Sequence, residues 1–93
     1  MRLVFERNGF DDLAWWTKTA PKKARRIIEL IQETARDPFQ GKGKPEPLKH
    51  DLAGCWSRRI DQEHRLVYMV KGEEIVILAC RFHYSLQKSF PMP

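Results

Sequence analysis

Glu46, Lys49, His50, Arg58, Arg59, His64 and Arg65 crowd into one stretch of this 93-residue chain, and a second group, Arg81, Phe82, His83 and Tyr84, closes the apolar run IVILAC. A carboxylate, an imidazole and several guanidinium groups are the components of metal-free phosphodiester cleavage, with a ribose 2′-hydroxyl as nucleophile. A base must take the hydroxyl proton, an acid must protonate the leaving 5′-oxygen, and cations must neutralise the pentacovalent phosphorane. Glu46 and His83 suit the two proton transfers, provided Glu46 is firmly oriented; imidazole works in either direction near neutral pH. Arg65 suits the phosphorane, supported by Arg59, Arg81 and Lys49, because a guanidinium presents a planar fork of donors to phosphate oxygens. Tyr84 can stack on a base or orient the scissile phosphate. Lys42 and Lys44 add positive charge just before Glu46.

Each of these residues also has a plainer role. Glu46 lies between two prolines, where a solvated loop carboxylate is ordinary. His83 can be an exposed terminal residue, and Arg65 can pair with Asp61 or Glu63 at the surface, where ion pairs contribute little. His50 and His64 lack a clear acidic partner and read as structural or peripheral. Trp15 and Trp16 read as packing residues, and Tyr68, alternating with Leu66 and Val70, as core. The catalytic reading rests on the convergence of several residues.

The length fits one domain. Seventeen Lys and Arg against twelve Asp and Glu give a formal charge of +5, which favours a polyanionic or acidic partner without choosing between them. Cys55 and Cys80 form no CxxC pair or metal-ligand spacing; they read as reduced core cysteines, with a cross-strand disulfide left open. No metal or cofactor is implied. The N-terminus reaches charged residues at once, and no apolar run approaches the roughly 18 residues of a membrane span. A cytoplasmic protein without a membrane partner is expected.

The elements that must position these residues follow from pattern. Residues 2–6 read as a strand. Asn8 reads as the cap of a helix over 9–18, with Asp11 at its third position and Phe10, Leu13, Ala14 and Thr17 along its stripe. Pro21 opens a second helix, with Ala24, Ile27, Ile28, Ile31 and Ala35 on its apolar face and an end near Arg36, because Pro38 restricts Asp37. Residues 38–47 read as an irregular loop and 48–54 as partly extended. Strands are expected at 55–60, 65–70 and 74–84. Pairing Val70 with Glu74 places Arg65, Arg81 and His83 on one face. Pairing Ile60 with Arg65 adds Arg58 and excludes Arg59, and a one-residue slip inverts that choice.

The segments PFQGKGKPEPLKH and GCWSRRI, then EHRLVY and CRFHY, occur in an order and spacing that resemble the YoeB toxins of bacterial toxin–antitoxin systems, within the broader RelE-like group. The resemblance runs from Met1 to Tyr84. It implies an α+β, microbial-RNase-like domain over 1–84, with an N-terminal strand and a helical hairpin packed on an antiparallel sheet, and a C-terminal extension at 85–93. It implies an endoribonuclease that cleaves mRNA in the A site of the 70S ribosome and arrests translation. The expected ends are a 2′,3′-cyclic or 3′-phosphate and a 5′-hydroxyl. It further implies an acidic YefM-type antitoxin that wraps the toxin, a homodimer, and contact with operator DNA only through the antitoxin complex. The family's catalytic glutamate, arginine, histidine and tyrosine match Glu46, Arg65, His83 and Tyr84. Its phosphate-contacting basic positions match Lys49 and Arg59. Two features depart from the family: the tail SLQKSFPMP, and Cys55 before Trp56, which reads as a packing change. A competing expectation is a catalytically silent RNA- or ribosome-binding protein that acts mainly through its antitoxin complex; it would not need Glu46 or His83.

Overall fold

The computed structural model describes residues 1–81; His83, Tyr84 and the tail lie outside the described residues. The chain runs β1 (Arg2–Phe5), α1 (Arg7–Thr19), α2 (Pro21–Arg36), β2 (Glu46–Pro47), a 3₁₀ turn (His50–Leu52), β3 (Cys55–Arg59), β4 (Arg65–Lys71) and β5 (Glu74–Ala79). The strands form one sheet in the order β1-β5-β4-β3-β2. β1 is parallel to β5, and the other neighbours are antiparallel.

Both helices cover one face of this sheet. The core there joins Trp16, Ala24, Ile27, Leu30 and Ile31 to Leu66, Tyr68, Ile75 and Ile77. Leu48 and Leu52 cover the other face, packing on Cys55, Val67, Val76, Leu78 and Ala79. β5 is therefore apolar on both sides because each side meets a different cover. Cys55 and Cys80 are both free thiols and belong to opposite layers.

α2 begins and ends where proline punctuation places it, with Pro21 in its first turn and Asp37 extended after Arg36. Its buried stripe is Ala24, Ile27, Leu30, Ile31 and Thr34, whereas Ile28 is half exposed. α1 departs further from expectation. Its cap position is Glu6, without a side-chain cap, and Asn8 lies in the first turn, where its amide donates to Leu78 O (3.2 Å) and Asp12 Oδ2 (3.4 Å). Gly9 and Trp16, not Phe10 and Thr17, are the buried positions. Gly9 allows the helix to touch β5: a Cβ there would lie 2.6 Å from Ile77 O.

The registers of β3–β4 and of β4–β5 each differ by one residue from the expected ones. Lys71 pairs with Glu74, leaving a two-residue turn, and Arg59 pairs with Arg65. A bulge on β5 then shifts Val67 opposite Ala79. Because side chains alternate, Arg59 joins Arg65 on one face and Arg58 turns to the other.

Candidate active site

The site begins with a buried arginine. Trp56, Arg58 and Ile60 point toward the helices, and Arg58 is completely buried there. Its Nε donates to Tyr68 Oη (3.2 Å), Nη1 to Lys42 O (2.9 Å), and Nη2 to Gln40 O (2.9 Å) and Asp37 O. Tyr68 Oη donates in turn to Pro38 O (2.6 Å). A buried charge is tolerable only when its donors are satisfied, and here the acceptors are the carbonyls of the loop after α2. Arg58 and Tyr68 thus fasten a segment that has no regular structure of its own.

That fastening delivers Glu46. Arg59 N–H donates to Gly43 O (2.6 Å). Gly43 has φ +85°, and a Cβ there would come within 3.0 Å of both Arg58 Cβ and Leu30 Cδ2. Lys44 is also left-handed at φ 50°. The chain turns through these two residues into β2, where Glu46 pairs with Ser57. Lys42, Lys44 and Glu46 are exposed along this path.

Directly paired residues share a face, so Glu46, Ser57, Val67 and Ala79 form one row across the sheet, with Arg59 and Arg65 in the next row. From strand spacing and rise, Arg59 lies about 8 Å and Arg65 about 12 Å from Glu46, backbone to backbone. Long side chains from these positions can meet on one phosphodiester.

Arg65 is only 8% exposed, and among the described residues it forms no ion pair. Its Nη1 donates to the carbonyls of Asp61 (2.7 Å), His64 (3.1 Å) and Gln62 (3.4 Å). A guanidinium carries five N–H donors, and these contacts orient the fork through Nη1. The Asp61 carboxylate holds the same turn, accepting N–H bonds from Glu63 (2.8 Å) and His64 (2.7 Å) and an ion pair from Lys23 (2.8 Å). Burial pushes this carboxyl up, but the Lys23 ammonium and the two backbone donors outweigh it and hold Asp61 below the usual range.

The remaining expected residues separate. Lys49 is exposed beside the 3₁₀ turn. Arg81 does not share the Arg65 face: its guanidinium lies 3.7 Å from the centre of the Trp15 ring, on the helical side. His64 packs edge-on against Trp16 at 4.8 Å, a structural role. His83 and Tyr84 lie outside the described residues. Sequence reasoning noted Arg58 but missed its role; the signal was its alternation with Trp56 and Ile60, which makes it a core position. Among the described residues, no group of three or more His, Cys, Asp or Glu could hold a metal ion, and no helix is long and apolar enough to cross a membrane.

With this geometry in place, comparison with known proteins is decisive. The model of the YoeB-like toxin of bacterial type II toxin–antitoxin systems matches residues 5–84. The chain belongs to the YoeB-like toxin family. As such it is a member of the RelE-like superfamily. Toxin YoeB of Escherichia coli K12 is 52% identical over 84 residues, covering 90% of this chain and all of that protein. Toxin YoeB of Streptomyces coelicolor is 51% identical over the same length and shares. Among solved structures, a YoeB/ParE toxin from Agrobacterium tumefaciens superimposes with a TM-score of 0.87 at 48% identity, over 90% of this chain and 100% of that one. A YoeB dimer from Staphylococcus aureus gives 0.83 at 39%, over 90% and 98%. The same organism's YoeB in a heterotetrameric YoeB–YefM complex gives 0.81 at 39%, with the same coverage. For this YoeB-like toxin, the matched region ends at Tyr84, so the tail at 85–93 lies beyond it.

Proposed function

We propose that this YoeB-like toxin is a ribosome-dependent mRNA endoribonuclease that cleaves its substrate in the ribosomal A site of the 70S ribosome. The observation that carries this is the placement of Glu46, Arg59 and Arg65 on one sheet face, with Arg65 held rigidly by three carbonyls. Glu46 takes the 2′-hydroxyl proton, and His83 protonates the leaving 5′-oxygen. Arg65, with Arg59 and Lys49, neutralises the phosphorane. Tyr84 orients the scissile phosphate or stacks on a base, and Lys42 and Lys44 contact the RNA backbone. Arg81 is seated on Trp15 and stands apart from the phosphate-contacting set in this reading.

Glu46 and Arg59 are both exposed. RNA must therefore be held against them from outside, and a ribosome-bound messenger meets that need through proximity and orientation. The protein acts in the cytoplasm, where its substrate is. The S. aureus structures are of a YoeB dimer and of a YoeB–YefM complex; they support a homodimer and a YefM-type antitoxin here, with operator DNA reached only through that complex.

The test is cleavage of a defined messenger, on programmed ribosomes and as naked RNA, with end-group analysis. Faster cutting on ribosomes and 2′,3′-cyclic or 3′-phosphate ends with 5′-hydroxyls are expected. Ends bearing 5′-phosphate and 3′-hydroxyl would overturn the mechanism, and equal rates on the two substrates would remove the ribosome from it.

A further inference from the structure

Among the described residues, sheet pairing of β5 with β4 ends at Ala79, yet the next two residues of the chain are held by α1. Asp12 Oδ2 accepts the N–H of Cys80 (3.0 Å). The indole Nε1–H of Trp16 donates to Cys80 O (2.7 Å). The Cys80 thiol reaches Gly9 O at 3.7 Å. Trp15 then takes the Arg81 guanidinium on its ring face, a cation–π geometry. One residue upstream of Ala79, Asn8 donates to Leu78 O (3.2 Å) and also reaches Asp12 (3.4 Å).

Asn8, Asp12 and Trp16 are spaced by four along α1, so they form one stripe facing the end of β5. An ordinary helix–sheet contact would place apolar side chains there. These instead read main-chain donors and acceptors, replacing the hydrogen bonds that a neighbouring strand would supply. Burial holds the Asp12 carboxyl above its ordinary value, outweighing the Cys80 hydrogen bond and Arg81, which pull it down.

We infer that α1 is a backbone clamp in which Asp12 and Trp16, by gripping the N–H and C=O of Cys80, and Trp15, by seating Arg81, fix the end of the strand two residues before His83 in sequence, and that cleavage depends on this clamp. Asp12 is a positioning residue, not a catalytic one. This rests on the proposed role of His83 as general acid. The clamp explains why Arg81 faces the helices: its guanidinium anchors the strand exit. It also ties the site to α1, whose residues lie at the far end of the sequence from RFHY.

The test compares Asp12→Ala, Asp12→Asn, Trp16→Phe, His83→Ala and Asp12→Ala/His83→Ala, cutting messenger on programmed ribosomes at a temperature where circular dichroism shows each folded. Misplacing a reacting group by about 1 Å costs on the order of a hundredfold. Asp12→Ala is expected to lower kcat by about tenfold to a hundredfold with KM nearly unchanged. Asp12→Asn, which keeps an oxygen acceptor for Cys80 N–H, should restore most of the rate, and Trp16→Phe should fall between. Because the clamp acts through His83, adding Asp12→Ala to His83→Ala should cost nothing further. Folded Asp12→Ala with native kcat beside an inactive His83→Ala would overturn the clamp alone. An equal loss from Asp12→Ala in both backgrounds would also overturn it, leaving a purely structural role. A fully active His83→Ala would overturn the clamp's catalytic purpose together with the acid assignment beneath it.

Discussion

Replacing Arg58 by methionine removes the charged anchor of the loop after α2 while keeping a long, flexible apolar side chain. Four hydrogen bonds leave with the guanidinium: to Tyr68 Oη and to the carbonyls of Asp37, Gln40 and Lys42. Hydrogen bonds to charged groups contribute about 1.5–3 kcal/mol each, but their sum overstates the loss, because burying the guanidinium costs several kcal/mol that methionine does not. Removing one partner from a buried ionic arrangement typically costs about 3–5 kcal/mol. Here the stranded groups are carbonyls of a largely exposed loop, which water can partly reach, so the lower figure applies: about 3 kcal/mol. At about 4–8 °C per kcal/mol for a domain of this size, Tm falls by roughly 12–24 °C. Thermal unfolding followed by tryptophan fluorescence reads this directly, since Trp16 is buried. Limited proteolysis reads the loop, which should become cleavable between residues 37 and 44 below the transition. A variant with native Tm and an equally resistant loop would refute the claim that Arg58 holds the segment that delivers Glu46.

Other outcomes follow from the same contacts. The folded state holds the Asp61 carboxyl below its usual range, so its stabilising contribution is full above about pH 4 and is lost as pH falls through the lower folded value. Asp61→Asn should therefore be less stable than the native chain near neutral pH, with the difference shrinking in acid; a pH-independent difference in Tm contradicts this. Gly9→Ala should cost about 1–3 kcal/mol, although alanine favours helix by about 1 kcal/mol, because its Cβ would sit 2.6 Å from Ile77 O; an equally stable variant denies the close contact. Lys42→Ala/Lys44→Ala should weaken RNA association and flatten its salt dependence by about 0.7 in the log–log slope per lost phosphate contact on single-stranded RNA; an unchanged slope removes both lysines from the interface.

What was legible in the sequence depended on whether local chemistry or tertiary contact decided the outcome. α2 could be bounded because Pro21 and Pro38 act locally. The start of α1 could not, because Asn8 spends its side chain on Leu78 and Asp12. The β4–β5 hairpin was recognisable from Gly72, but its turn is one residue shorter than expected, and a separate one-residue shift in the β3–β4 pairing exchanged Arg58 for Arg59 on the site face. The loop at 38–47 looked structureless because its order comes from an arginine that follows it by more than ten residues. Glu46, Arg59 and Arg65 were legible as chemistry before their geometry was known. Arg81 was assigned to phosphate, but an aromatic partner on a distant helix determines its place.

The central claim is that the Glu46–Arg65 face, with His83, is a cleaving site and not only a binding surface. The most direct measurement is ribosome binding and A-site cleavage by the native chain, Glu46→Ala and His83→Ala in parallel. The account predicts equal ribosome binding by all three, A-site cuts by the native chain, and cleavage slower by a factor of about 100 or more in each variant. Native-rate cutting by either variant, or a native chain that binds ribosomes and cuts nothing, would contradict it.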